Sequence, residues 1–290
     1  MISTDVRLVT CAALPGGEPD TPLIRRALLE RGFASDVAVW NDPRVDWATA
    51  RLTVIRSTWD YHLDRTAFLE WADNVARRTS LHNPPSVVRW NSHKSYLTDL
   101  ERRGLPVVPT VLVPVGDRTG LEEIAEQRGW REVVLKPAVS LDGHGVLRGS
   151  PADPAILARL HSLARVTDVI VQPFIASIIS NGELSITFID GFARHAVLKR
   201  PAPGDFRVQT RLGGSVTPAV MPATAVEIGA AALATLPTPP LYARVDLIHE
   251  EAGFRITELE LIEPSLFMVH SPDTARHFVA AIEARLRPSP

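Results

Sequence analysis

Two short segments near the end of the chain alternate with period two: Tyr242-Ala-Arg-Val-Asp-Leu-Ile248 and Arg255-Ile-Thr-Glu-Leu-Glu-Leu-Ile-Glu263. Successive side chains of a strand point to opposite faces. Arg244 and Asp246 therefore share one face of the first segment. Glu258 and Glu260 share one face of the second, and Leu259 and Leu261 take the other. The apolar faces require a core beneath them. If the two strands pair, the polar faces gather several carboxylates in one small area. Close carboxylates repel, and burying them is costly unless a cation sits among them. Two readings fit these residues alone. One is an exposed edge strand with solvated acids. The other is a cation site, where hard oxygen donors at this density suit Mg2+, an ion usually held together with substrate phosphates.

With 290 residues the chain has room for one large domain or two to three compact lobes. Its hydrophobic share of 45% and charged share of 22% are ordinary for a soluble globular protein with a full core. The net charge of -2, without a basic run, gives nucleic-acid binding no electrostatic support. The single cysteine, Cys11, excludes an internal disulfide and fits a reducing compartment. No apolar stretch is long enough to cross a bilayer. Residues 1–10 lack the charged leader and long apolar core of a signal peptide, so the expected setting is the cytoplasm, away from membranes. Nothing in the sequence fixes an oligomeric state.

From the start, strands are expected at 6–10, 36–40 and 52–56, alternating with helices at 21–31 and 64–78. Thr21 is the expected cap of the first helix, Pro22 its first turn and Gly32 its stop; Asp64 caps the second. Such alternation predicts a parallel α/β lobe, in which ligands bind beyond the strand C-termini. Ser57, Thr58 and Asp60 follow the third strand and are candidates for a small-molecule rim. The competing reading is a helix-entry loop with Trp59 as a packing anchor. No Gly-x-Gly-x-x-Gly follows the first strand, which weakens a Rossmann dehydrogenase reading.

A helix capped by Asn91 or Ser92 is expected to run to 103, with Lys94 in its first turn. A cation there opposes the helix dipole, so Lys94 is either placed for an anion or simply solvated. The strand 133–137 ends in Lys136-Pro137 and leads to a loop containing Ser140, Gly143 and Gly145. Backbone N–H groups of such a loop can approach phosphates, and the lysine would add a point charge. A hairpin turn with an edge lysine explains the same residues. The stretch 169–199 reads as antiparallel strands with hairpin-length links. The basic segment 199–214 reads as a surface or site loop, and helices at 223–236 and 273–285 cover the sheet.

In sequence order come a helix-start lysine, Lys136-Pro137, a glycine loop, Val171-Gln-Pro-Phe-Ile175, Gly182-Glu183, Gly204-Asp-Phe-Arg207, Arg244-Val-Asp-Leu247 and Glu258-Leu-Glu260. This order resembles the ATP-grasp superfamily over roughly residues 89–290. The lobe before it resembles that of glutathione-synthetase-like ligases. Arg56-Ser-Thr-Trp-Asp-Tyr61, Asn83-Pro-Pro85, Lys199-Arg-Pro-Ala-Pro-Gly-Asp-Phe-Arg207 and Glu258-Leu-Glu-Leu-Ile-Glu-Pro-Ser-Leu-Phe267 look most like the D-cycloserine synthetase group. The resemblance implies an α/β and α+β chain: an N-terminal parallel lobe over 1–88, then a two-lobed ATP-grasp fold over 89–290, with lobes at about 89–174 and 175–290.

The resemblance also implies roles. Lys94 and Lys136 would contact ATP phosphates under the loop of Ser140, Gly143 and Gly145. Gln172, Pro173, Phe174 and Ile175 would meet adenine, and Glu183 the ribose hydroxyls. Arg207, with Arg244, would hold the γ-phosphate or a substrate carboxylate. Asp246, Glu258 and Glu260 would carry Mg2+, or Mn2+ in its place. The family ending is Glu-x-Asn, and here Glu260 stands at the asparagine; Glu263 is an alternative ligand. The implied activity is an ADP-forming carboxylate–amine ligase working through an acyl phosphate. It would act on a small amino-acid-like substrate, closing one such as O-ureido-D-serine to D-cycloserine. The alternatives are an intermolecular amino-acid or peptide ligase and a nucleotide-binding module without turnover. No competing Ser-His-Asp, Cys-His or zinc-ligand pattern stands in the chain.

Overall fold

The structure is a computed structural model and describes residues 3–287. Its first sheet is parallel, with β1 (Thr4–Thr10), β2 (Ser35–Val39), β3 (Ala50–Ser57) and β4 (Ser80–His82) in the order β2-β1-β3-β4. Parallel strands are covered on both faces, so they read as continuous apolar runs. Val6, Leu8, Leu52 and Val54 pack on one side with Ile24 and Leu28 of α1 (Thr21–Glu30). Val9 and Ile55 pack on the other with Phe68, Leu69 and Ala72 of α2 (Arg65–Ala76) and a group of tryptophans. Asp64 caps α2 as expected, accepting from the Ala67 N–H at 3.0 Å. At α1 the cap position belongs to Asp20 rather than Thr21, which is already helical. The Asp20 carboxylate accepts instead from the distant Val269 N–H.

The single helix expected from 91 to 103 is two helices, α3 (Pro85–Asn91) and α4 (Tyr96–Arg102). Asn91 ends the first instead of capping the second. Its side chain is committed to strand backbone in another sheet, and Lys94 lies in the turn between the helices. α3 also spans position 88. Val88 packs with the first sheet's core and Val87 with the core of the largest sheet.

The second sheet comprises β5 (Val111–Val113), β6 (Val133–Pro137), β7 (Leu147–Gly149) and β8 (Val169–Pro173), antiparallel in the order β5-β8-β6-β7. α5 (Leu121–Arg128) and α6 (Pro154–Leu163) cover it with Leu121, Ile124, Leu160 and Leu163. A short helix, α7 (Ser177–Asn181), leads into the largest sheet. That sheet holds β9 (Glu183–Ile189), β10 (Phe192–Arg200), β11 (Ser215–Ala219), β12 (Tyr242–Glu250) and β13 (Gly253–Glu260), in the order β11-β10-β9-β12-β13. The edge strand β11 was not expected from the sequence. Its Pro218 is tolerated because an edge residue can forgo its ladder N–H. α8 (Ala223–Leu233) packs on one face of this sheet, and α9 (Asp273–Leu286) joins it to the first sheet's core through Phe278 and Ile282. Among the described residues no helix is long and apolar enough to cross a membrane.

Candidate active site

β12 and β13 pair antiparallel, with Arg244 opposite Glu260 and Asp246 opposite Glu258. Val245, Leu247 and Leu259 turn into the core, so the polar residues share the other face. One carboxylate oxygen from each of Asp246, Glu258 and Glu260 lies within 4.8 Å of the others. The Asn91 amide donates to the Leu259 carbonyl at 2.7 Å and accepts from the Leu261 N–H at 2.8 Å. The Tyr96 hydroxyl accepts from the Leu259 N–H. Asn83 donates to the Tyr242 and Leu261 carbonyls and accepts from the Leu241 N–H. Buried backbone groups at the acidic end of the sheet are thus satisfied by side chains from outside it.

Cations thread the acids. Arg244 makes a two-point contact with Asp246 at 2.9 and 3.0 Å and also bonds Glu260. Lys199 bridges Glu183 and Asp246 at 2.6 and 2.8 Å. Lys94 bridges Glu258 and the Ser140 carbonyl, both at 2.8 Å. Burial would raise the Asp246 carboxyl, but Arg244 and Lys199 hold it well below the usual carboxylate range. Burial likewise works against Glu258, which Lys94 and Lys136 keep low. Glu260 is pushed up to about 7 by burial, Arg244 only partly offsetting it, with Asp246 and Glu258 adding to the rise. Hard oxygen donors, one of them short of counter-charge, fit a divalent cation of the Mg2+ type. Glu263 lies outside this cluster.

A cavity of about 690 Å3 opens over these residues. Lys136 lines it and has no ion-pair partner among the described residues; burial lowers its pKa. The end of β8 and the residues after it, Gln172, Pro173, Phe174 and Ile175, line it as well, with the Gln172 side chain donating to Thr110. The Arg148 guanidinium lies 3.5 Å from the Phe174 ring centre. Glu183 is held by Lys199 and by the Thr257 hydroxyl at 2.7 Å. Ser140 lines the cavity, but its hydroxyl donates within its own loop, to the Pro137 carbonyl. Gly143 lines it too, at φ +68, and a Cβ there would meet Gln209 at 3.0 Å. Gly145 does not line it; its φ of +73 and tight approach to Pro137 shape the turn. Arg207 reaches the cavity with its guanidinium paired to Asp205 at 2.8 Å. Arg211 bonds the Asp142 carbonyl and carboxylate, so two loops meet over the opening.

Ser57, Thr58 and Asp60 do not line the cavity, contrary to their expected place on a rim. Ser57 and Thr58 are fully buried, Ser57 donating to the Thr10 hydroxyl at 2.9 Å. Asp60 accepts from the Trp40 indole at 2.7 Å. Packing of the first sheet turns all three inward. The same segment contributes Trp59 and His62 to the wall instead, and the Trp59 indole donates to the Glu263 carbonyl at 2.9 Å. Lys199 was hidden in a segment that reads as a basic loop. The hairpin through Asp190-Gly191 alone would set Lys199 opposite Gly182; an irregularity between Ala193 and His195 shifts the register by one and brings it opposite Glu183, which no sequence signal announces.

Known proteins resemble this chain over nearly its whole length. A family model described as D-cycloserine synthetase DcsG, N-terminal domain, matches residues 6–83. One described as prokaryotic glutathione synthetase, ATP-grasp domain, matches residues 105–268. The cycloserine biosynthesis protein DcsG of Streptomyces lavendulae is 33% identical over 97% of this chain and 98% of its own length. A crystal structure of D-cycloserine synthetase DcsG superposes with a TM-score of 0.89 at 31% identity, covering 97% of this chain and 99% of that one. A D-alanine–D-alanine ligase from Bacillus anthracis complexed with ATP shares the fold, with a TM-score of 0.70 at 13% identity over 98% of this chain and 97% of its own. With cavity-lining lysines, a carboxylate cluster and full-length similarity together, this chain belongs to the ATP-grasp ligases, in the D-cycloserine synthetase group.

Proposed function

We propose that this ADP-forming ligase closes an O-ureido-serine, in its D form, to D-cycloserine. The observation carrying this reading is one cavity lined from both lobes. Lys94, Lys136, Gly143 and the carboxylate cluster line it together with Trp59 and His62 of the first lobe. A nucleotide and a small second substrate can therefore meet at one charged centre. The full-length similarity to a cycloserine biosynthesis protein supports the choice of substrate.

Phosphoryl transfer needs charge neutralisation and alignment more than a protein nucleophile. Mg2+ held by Asp246, Glu258 and Glu260 would neutralise charge on the transferred phosphoryl group. Lys136, free of ion pairs among the described residues, takes the nucleotide phosphates, joined by Lys94 and by the backbone N–H groups around Gly143. The segment Gln172, Pro173, Phe174 and Ile175 receives adenine, and Glu183 receives the ribose. Arg244 orients the substrate carboxylate and steadies charge on the acyl phosphate, with Arg207 at the cavity mouth. The nitrogen bound to the side-chain oxygen then displaces phosphate, forming the ring C–N bond, and water removes its carbamoyl group as CO2 and ammonia to leave D-cycloserine. The chain divides for this task into 1–88, facing the substrate, and 89–290, facing ATP.

ADP release is measured with Mg-ATP over amino acids and O-substituted serines, alone and in pairs. Turnover with O-ureido-D-serine as the single added compound is expected. Turnover only with pairs would overturn cyclisation in favour of intermolecular ligation. Asp246→Asn is expected to lose ADP release by at least about 100-fold while keeping its fold, because it removes charge from the ligand set. A fully active variant would remove the metal assignment.

A further inference from the structure

Six carboxylates line the cavity: Asp142, Glu183, Asp246, Glu258, Glu260 and Glu263. Five have a cation within ion-pair distance: Arg211, Lys199, Lys199 with Arg244, Lys94, and Arg244 in turn. Glu263 alone has none among the described residues, although its side chain is 5% exposed. Its Oε2 is buried and has no hydrogen-bond partner. A buried carboxylate without a counter-ion costs several kcal/mol, and folded proteins seldom retain one that nothing ever meets.

The backbone around Glu263 is fixed by side chains of three other segments. Its carbonyl accepts from the Trp59 indole, and the next carbonyl, that of Pro264, accepts from the buried Arg56 guanidinium at 3.0 Å. Arg244 donates to the Ser265 carbonyl at 3.0 Å. Glu263 thus lines the cavity with Trp59 bonded to its backbone, and His62 lines the same cavity. Glu263 does not belong to the three-carboxylate cluster. His62 Nδ1 is also buried without a partner. Burial, with Glu260 nearby, pushes the Glu263 carboxyl well above the usual carboxylate range, so among the described residues Lys136 is a cavity cation without an ion pair and Glu263 a cavity carboxyl without a partner, ready to ionise when a cationic ligand arrives.

We infer that Glu263 is the specificity residue that binds the α-ammonium group of the amino-acid substrate, with His62 alongside it. The inference rests on the ligase reading only in taking an amino-acid substrate for this cavity. A primary ammonium next to the reacting carboxylate supplies both the missing charge and the missing N–H donor. Substrates lacking that amine leave Glu263 stranded, so the enzyme rejects them.

The test is binding, read apart from turnover. Calorimetry with Mg2+ and a non-hydrolysable ATP analogue compares O-ureido-D-serine with 3-(ureidooxy)propanoate, the same molecule without its α-amine. The wild type is expected to favour the amine by roughly 10- to 100-fold, the range of a charged hydrogen bond. In Glu263→Gln the preference is expected to fall to within about threefold, losing most of that charged term, with nucleotide affinity unchanged. Unchanged nucleotide affinity shows that the variant is folded and that Glu263 is not a metal ligand. A preference that survives the substitution, a wild type that does not discriminate, no binding of either compound, or loss of Mg–nucleotide affinity would each overturn the assignment. Discriminating binding without any ADP release would leave Glu263 assigned and remove the ligase reading instead.

Discussion

Replacing Lys199 by methionine isolates the charge network that holds the site before any ligand arrives. Lys199 is 7% exposed and bonds two carboxylates, Glu183 at 2.6 Å and Asp246 at 2.8 Å. Removing one partner of a buried ion pair costs about 3–5 kcal/mol, because the remaining charge stays buried and unpaired. Asp246 keeps Arg244 and the Ser185 hydroxyl, whereas Glu183 keeps only the Thr257 hydroxyl. The cost should therefore lie near the lower end, about 3 kcal/mol. In a chain of this size that corresponds to a fall of roughly 6 °C in Tm. Scanning calorimetry without ligands measures it. Adding Glu183→Gln to Lys199→Met removes the stranded charge and should restore at least about half of the loss. The same logic makes Mg2+ bind the Lys199→Met variant more tightly when no nucleotide is present, since Lys199 no longer competes for Asp246. A Tm within about 1 °C of wild type would refute a buried, energetically coupled lysine. So would a double variant that falls by the sum of the singles.

Two further perturbations reach the scaffold. Asn91→Ala leaves the Leu259 carbonyl and the Leu261 N–H without their partner. Two buried backbone groups left unsatisfied cost about 2–4 kcal/mol, and thermal melting should show the loss together with weaker Mg2+-dependent ADP release. His82→Gln tests a pH term. Burial, with Arg285 nearby, lowers the His82 pKa from 6.5 to about 4. On acidification the unfolded chain takes up this proton first, so stability is fully present above about pH 6.5 and falls progressively toward pH 4. Urea unfolding at pH 7.5 and pH 5 should show a smaller difference in the variant; an unchanged difference would clear His82 of the acid sensitivity.

What the sequence disclosed was whatever repeats with a period or follows a turn. Alternation in 242–248 and 255–263 was enough to set Asp246, Glu258 and Glu260 on one face, because pairing preserves faces. Lys136 ends an apolar strand before a glycine loop, a local pattern with few physical meanings. Ser57, Thr58 and Asp60 misled because side-chain chemistry does not reveal which way a residue at a strand end turns. There, packing of Thr10 and Trp40 decided it. Asn83 and Asn91 could not be read at all. Their partners lie 158 or more residues away, and an amide bonded to another sheet's backbone leaves no periodic trace. The interruption between α3 and α4 has the same origin: Asn91, which can cap a helix, is committed elsewhere.

The commitment of Asn83 and Asn91 bears on how such ligases can be recombined. Both residues flank or end α3, yet both spend their amides on the strands that carry the acidic cluster. In an exchange of first lobes between relatives, meant to import a new substrate wall, the natural-looking seam lies after α3. Cutting there would discard the two residues that seat the strand of the acidic cluster. The workable seam lies ahead of Asn83, so that residues 83–91 travel with the rest of the chain. By its contacts, that short stretch is the acidic sheet's own anchor, carried on the neighbouring lobe's segment of chain.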